Sequence, residues 1–513
     1  MGQSQFPALS RIERRAALKG ALRSALVVTA ASAFSGRHSL AADIPAVGNH
    51  GKKVVLSDDA ILDLQKNLRG AVILPSNPEY DATRRLWNGV FDLRPALIAR
   101  CASAEDVQNA VRFARSHDLL VAVRCGGHTY AGHSGCNGGM VIDLRPIDAI
   151  EVDPQAQIAR VGGGSLLGGM DRATMAHGLA TTAGVISHTG IGGLATGGGQ
   201  GRLQRKFGLT IDNIRAVEVV TADGRLLRAS AAENPDLYWA VRGGGGNFGI
   251  VTKFEMQLHK VDAEVSTFSH TFPIARAQDL MKLYFDFSAA APDELSVGAG
   301  LRTSAKGETT VSISGGYIGA PEAAEKLLAP IKSLGTPVAT RVGGIDYVKL
   351  QSAADAATAV GRGYYTRVAF HTRGDEKLGA AMIDVMTKAP VPGMSLGFSQ
   401  QGGASGRVAQ DATAFANRDA QYQISLSMDW DDPQEGPDKT KNSRERWAQI
   451  KPLTDGGVYV NHAVDDDLTE IPKNYRGNYA RLADLKAKFD PTNFFHLNAN
   501  IAPKAAGASK KPT

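Results

Sequence analysis

The sequence predicts an α+β protein of more than one domain, and three observations carry that prediction. The chain has 513 residues, more than a single hydrophobic core usually organises. Its 57 glycines are clustered rather than spread, with four glycine loops between residues 124 and 249, each after an apolar strand or helix pattern. Beyond His259 the clusters thin, and strand-like stretches (265–272, 309–314, 422–428) alternate with helix-like ones (322–334, 376–387, 443–450). That alternation suits a mostly antiparallel sheet covered by helices. A loop-rich ligand-binding domain followed by an α/β domain is therefore expected.

Charge narrows the possible partners. The formal net charge is +6, but six Lys/Arg against one Glu fall in residues 1–42 and three Lys in 504–513, which leaves 43–503 at about −2. A core without excess positive charge makes nucleic acid an unsuitable partner. The three cysteines, Cys101, Cys125 and Cys136, match no zinc or disulfide framework. They are read as small buried residues, with pairing of Cys125 and Cys136 the alternative in an oxidising compartment.

In chain order, residues 1–42 read as an export signal. Arg14-Arg15-Ala16-Ala17-Leu18-Lys19 is a twin-arginine pattern, residues 21–34 are apolar apart from Arg23, and Leu40-Ala41-Ala42 offers small residues for cleavage. Glu13 departs from the usual Ser or Thr. The apolar run is too short and alanine-rich to span a bilayer. The expectation is passage through the twin-arginine export machinery to the periplasm or outside, with no membrane segment in the mature form. Residues 43–89 are a helical and loop lead-in. A strand at 94–100 opens with Pro95; Ser103 and Asp106 form a capping-box pattern before Val107, Ala110, Val111 and Ala114 at helical spacing.

The strand at 119–123 then runs into Arg124-Cys125-Gly126-Gly127-His128-Thr129-Tyr130. Glycines there let a bound group approach the backbone, and exposed N–H groups form an anion cradle. A strand at 158–161 ends in Gly162-Gly163-Gly164-Ser165, where Ser165 is expected to cap a helix over 166–177. Residues 184–208 hold the densest glycines, and Asp223-Gly224 predicts a type I′ hairpin within 217–227. Arg242 leads a fourth loop, Gly243 to Gly246 with Asn247 and Gly249, before a strand with Thr252, Phe254, Met256 and Leu258 on one face. Four loops converging on one ligand indicate a nucleotide. A P-loop is excluded because G-x-x-x-x-G-K-[ST] is missing, and a Rossmann unit because no strand and ribose-binding acid follow Gly197-Gly198-Gly199-Gln200-Gly201.

These motifs together resemble the berberine bridge enzyme-like flavoproteins, within the PCMH-type FAD-binding (vanillyl-alcohol oxidase) superfamily. The resemblance covers residues 80–503 and rests on 124–134, on 190–208 with Arg205-Lys206-Phe207-Gly208-Leu209, on RGGGGNFGIV at 242–251, and on the C-terminal pattern NYxRL…DPxNxF…NI.P within 475–503. It implies a two-part FAD-binding domain at 90–260, an α/β substrate domain with a helix-covered antiparallel sheet at 261–456, a C-terminal segment at 457–503 returning to the flavin, and a disordered tail at 504–513. It implies an FAD joined covalently to His128. The cysteine that often adds a second bond falls at Ile186, which has no thiol, so a single tether is expected.

Diphosphate and ribose contacts are expected from Arg124, Cys125, Gly126, Gly127 and Thr129, and from Gly190, Ile191, Gly192 and Gly193. Thr196, Gly197, Asn247, Gly249, Ile250 and Val251 add contacts, and Asn498 and Asn500 cover the flavin from the C-terminal segment. For the base that takes the substrate proton, the resemblance points first to Tyr475, in Tyr475-x-x-Asn-Tyr479, then to Tyr479, then to Tyr130. The strand before Trp430 carries Gln423 and Ser425 where some relatives place a carboxylate. No metal is expected. The implied function is oxidation of an alcohol (sugar-like) or amine carbon of a small-molecule substrate, with O2 or another acceptor taking the electrons; the alternative is a non-catalytic flavin-binding protein that retains the fold.

Overall fold

The computed structural model describes residues 43–319 and 321–505; the export signal read at 1–42 lies outside them. From Ile44 onward the chain packs as one unit. A small sheet has the order Ala71–Ile73, Leu97–Arg100, Met140–Asp143, Val121–Arg124, its last three strands parallel. The parallel pairing needs a crossover, supplied by the helix Ala104–Ser116. Ser103 caps that helix, its Oγ accepting from the Asp106 N–H at 3.2 Å, while the Asp106 carboxylate accepts from the N–H groups of Arg69, Gly70 and Ala102. One acid thus satisfies a neighbouring turn that would otherwise carry bare donors.

A second, antiparallel sheet has the order Leu226–Ser230, Ile214–Val220, Ile250–Gln257, Ile158–Gly162, Ile150–Asp153. The alternation from Thr252 to Leu258 is a buried face, with Phe254, Met256 and Leu258 fully inside. Two local expectations differ in detail. The hairpin closes through a longer loop, Gly224 N–H donating to Thr221 O at 2.8 Å, with Gly224 left-handed (φ +77) and Asp223 not; a type I′ turn needs both. The helix Leu167–Met175 is capped without Ser165, whose buried hydroxyl has no partner among the described residues.

The third sheet is antiparallel and seven-stranded, in the order Ala339–Asp346, Glu264–Pro273, Thr309–Tyr317, Leu295–Thr303, Met394–Gln400, Tyr422–Trp430, Gly363–His371. Period two sorts its faces. Leu295, Val297, Ile424, Leu426 and Met428 join the core that includes residues of the helices Ala277–Ala289, Glu376–Lys388 and Gly436–Ile450. Ser296, Ser399 and Gln423 point the other way, toward the glycine loops. The C-terminal helix Tyr479–Phe489 folds back, and Lys486, fully buried, donates to Asp490 (2.7 Å), Asn247 O (2.8 Å) and Phe495 O (2.9 Å). A buried ammonium with three acceptors is costly to break, so this knot fixes the C-terminal segment against the fourth glycine loop. Order runs past the expected end at 503: Lys504 pairs with Asp484 at 2.7 Å.

Candidate active site

A cavity of about 550 Å³ opens between the glycine loops, the polar face of the large sheet and the C-terminal segment. Its first wall is the loop after Val121–Arg124. The Arg124 side chain turns away, into a buried ion pair with Asp143 at 3.1 Å. Burial works against the ionised Asp143, but Arg145 and Arg124 outweigh it and hold the carboxyl below its ordinary range. Arg124 therefore secures the strand end and does not face the cavity, unlike Cys125, Gly126, Gly127, His128, Thr129 and Tyr130, which line it. Among the described residues no protein acceptor takes the N–H of Gly127, His128 or Thr129. The loop touches the next one backbone to backbone: a Cβ on Gly126 meets Gly190 N at 2.3 Å, and one on Gly190 meets Gly126 N at 2.2 Å. Only glycine fits either side of that contact.

Gly190, Gly192, Gly193 and Thr196 line the second wall, whereas Ile191 is fully buried in the core and Gly197 packs under Asn461. Ile186 faces the cavity. From the fourth loop Asn247, Gly249, Ile250 and Val251 line it; the Asn247 side chain is spent on structure, donating to Gly244 O and Ala499 O and accepting from Ile501 N–H. Asn498 lines the cavity with a buried Oδ1 that has no partner among the described residues, and Asn500 does not line it. A side chain added at Gly193, Gly245 or Gly246 would meet nothing closer than 3.9 Å, so the glycines keep a space open inside the wall. A cavity of this size, with free backbone donors and glycine-held space, fits a dinucleotide.

At one end His128 stacks on Trp87 (centroids 4.7 Å, interplanar 14°), and its Nε2 lies 2.7 Å from His188 Nδ1. Burial, with His188 alongside, lowers the His128 pKa to about 3, so the ring is neutral and can act as a nucleophile.

The tyrosines divide sharply. Tyr475 is in the hydrophobic core, 1% exposed, its hydroxyl donating to Gly243 O at 3.2 Å, and it does not reach the cavity. Tyr479 is half-buried against the same core and also lies outside the lining. Tyr130 lines the cavity, edge-on to Trp87 (5.2 Å) and His462 (5.3 Å), and burial lifts its phenol to about 12. A fourth tyrosine, not singled out in the sequence, lies in the lining: Tyr459. Its oxygen accepts from Gly199 N–H (2.9 Å), Gln200 N–H (2.9 Å) and Asn461 Nδ2 (2.8 Å). Three donors on one phenol oxygen favour its ionised form relative to a buried phenol without them. Burial raises its pKa, and the three N–H groups pull the other way. Val458-Tyr459-Val460-Asn461-His462, two valines alternating with polar residues at the head of the C-terminal segment, was the signal available.

The rest of the lining is polar and nearly uncharged. Gln200, Gln400, Gln401 and Gln423 contribute with Ser296 and Ser399; Arg202 is the one permanent charge, and no carboxylate is present. All three cysteines are free and buried. Among the described residues no cluster suits a metal ion, and no helix is long and apolar enough to cross a membrane.

Comparison with known proteins agrees with this geometry. The family described as FAD binding domain matches residues 95–230, and that described as berberine and berberine like matches 458–502. An FAD-linked oxidoreductase of Dictyostelium discoideum is 31% identical over 447 residues, covering 85% of this chain and 96% of that protein. A carbohydrate oxidase of Microdochium nivale is 29% identical over 464 residues, 84% of this chain and 92% of that one. The solved structure of 6-hydroxy-D-nicotine oxidase from Arthrobacter nicotinovorans superposes with a TM-score of 0.79 at 28% identity, covering 85% of this chain and 98% of that chain.

Proposed function

The chain belongs to the berberine bridge enzyme-like FAD-linked oxidoreductases, and we propose that it oxidises an alcohol carbon of a sugar-like substrate, with Tyr459 as the base and His128 as the single tether of the flavin. Bound FAD supplies the two-electron acceptor, which O2 or another oxidant regenerates. The observation that carries the base is the triple N–H donation to Tyr459, which opposes the rise that burial imposes on its phenol, on the wall shared with Gln423 and His462. Tyr459 takes the hydroxyl proton as hydride leaves the same carbon. Tyr130 has no N–H donors on its phenol oxygen among the described residues to oppose burial, which lifts it to about 12, and leaves the proton abstraction to Tyr459.

Charge favours an alcohol over an amine. An ammonium entering this cavity meets Arg202 and no carboxylate, and desolvating an uncompensated cation is costly. Amide and hydroxyl side chains instead match sugar hydroxyls. Anaerobic mixing with panels of aldoses, oligosaccharides and amines tests this: sugars are expected to bleach the flavin, and bleaching by amines alone contradicts the reading. For the tether, acid-precipitated protein stays yellow and His128→Ala releases all its FAD; colour that washes off the wild type contradicts it. Export completes the proposal: replacing Arg14 and Arg15 by lysine is expected to hold the protein in the cytoplasm.

A further inference from the structure

The proposed function leaves one contact unused, the pairing of His128 with His188. This inference rests on the tether reading and deepens it: we propose that His188 is the positioning residue for flavin attachment, holding His128 in the tautomer whose Nδ1 is the nucleophile and taking the Nε2 proton as the bond forms. Nε2 of His128 is 2.7 Å from His188 Nδ1, so no carbon atom can reach it, whereas the nearest polar neighbour of Nδ1 is Thr189 Oγ1 at 3.4 Å. A nucleophilic Nδ1 requires the hydrogen on Nε2, where His188 Nδ1 accepts it.

The far side of the His188 ring is buried as well. Its Nε2 is buried without a protein partner among the described residues, so no carboxylate or carbonyl locks the ring into one tautomer. Asp355, the acid whose charge acts on His128, is engaged elsewhere, accepting from Ser187 N–H at 2.9 Å and Ser187 Oγ at 2.5 Å. Trp87, stacked on His128, holds the imidazole plane while the proton moves. In the overall step one C–H bond of the flavin 8α-methyl group and the N–H bond of His128 break, and the Nδ1–C8α bond forms. Two electrons and two protons reduce one O2 to hydrogen peroxide.

The test reads covalent flavin rather than turnover. Purified wild-type protein is expected to keep its flavin through acid precipitation. His188→Ala is expected to bind FAD but to carry at least about tenfold less of it covalently, the scale of a lost proton acceptor. Adding imidazole to aerated His188→Ala holoprotein should raise the covalent fraction with time, and His188→Asn, which still accepts a hydrogen bond from Nε2–H, should fall between the two. NMR of the digested flavin peptide should place the bond on Nδ1. Wild type that loses its flavin in acid overturns the tether itself. A tethered wild type with His188→Ala equally tethered, or a bond on Nε2, overturns the role of His188 alone. A defect that neither imidazole nor asparagine relieves also overturns it, by showing a structural defect instead.

Discussion

Two buried tyrosines sixteen positions apart, Tyr459 and Tyr475, show how differently one side chain is used in neighbouring regions. Tyr475 is surrounded by core residues and donates one hydrogen bond, to Gly243 O; its pKa is driven far up by burial with no donor to oppose it. Tyr459 is also buried, but its oxygen is the acceptor, held by two backbone N–H groups and an asparagine. Burial alone therefore does not make a catalytic tyrosine. Burial holds both phenols above their ordinary range; the direction of the hydrogen bonds decides whether anything opposes it, as three N–H groups do at Tyr459 and none do at Tyr475.

The largest expected effect follows from removing the acceptor. Tyr459→Phe should lower the rate of flavin reduction by roughly 10²- to 10⁴-fold while FAD stays bound. Next is Asn461→Ala, which removes one donor. With less opposing burial the phenol pKa rises, so the alkaline-going rise in kcat should move to higher pH, with roughly a 100-fold loss at neutral pH. A profile that stays put, or moves to lower pH, breaks the comparison. Smallest is Tyr475→Phe: flavin reduction unchanged and a loss of about 1 kcal/mol in unfolding free energy, the usual worth of a buried hydrogen bond, measured by denaturant titration.

What the sequence carried was local. The glycine loops, the Ser103 cap and the buried face from Thr252 to Leu258 each depend on neighbours a few residues away, and each is present. Ile186 faces the cavity, as its spacing before Gly190, Gly192 and Gly193 implies. What the sequence concealed depends on distant partners. Nothing near Arg124 announces Asp143 as its mate, and Tyr459 meets Gly199 and Gln200 across 260 and 259 positions of chain. The pattern at 475–479 drew attention to Tyr475, yet Asn478 there is tied to the carbonyls of Gln410 and Thr413, a packing role. The contact of His188 with His128 likewise joins residues 60 positions apart, with no local pattern to mark it.

The most direct test is stopped-flow flavin reduction under anaerobic conditions, with one reducing sugar-like substrate, for wild type, Tyr459→Phe and Tyr475→Phe side by side. The account predicts that Tyr459→Phe loses roughly two or more orders of magnitude while Tyr475→Phe keeps the wild-type rate. Tyr459→Phe reducing its flavin as fast as wild type would contradict it.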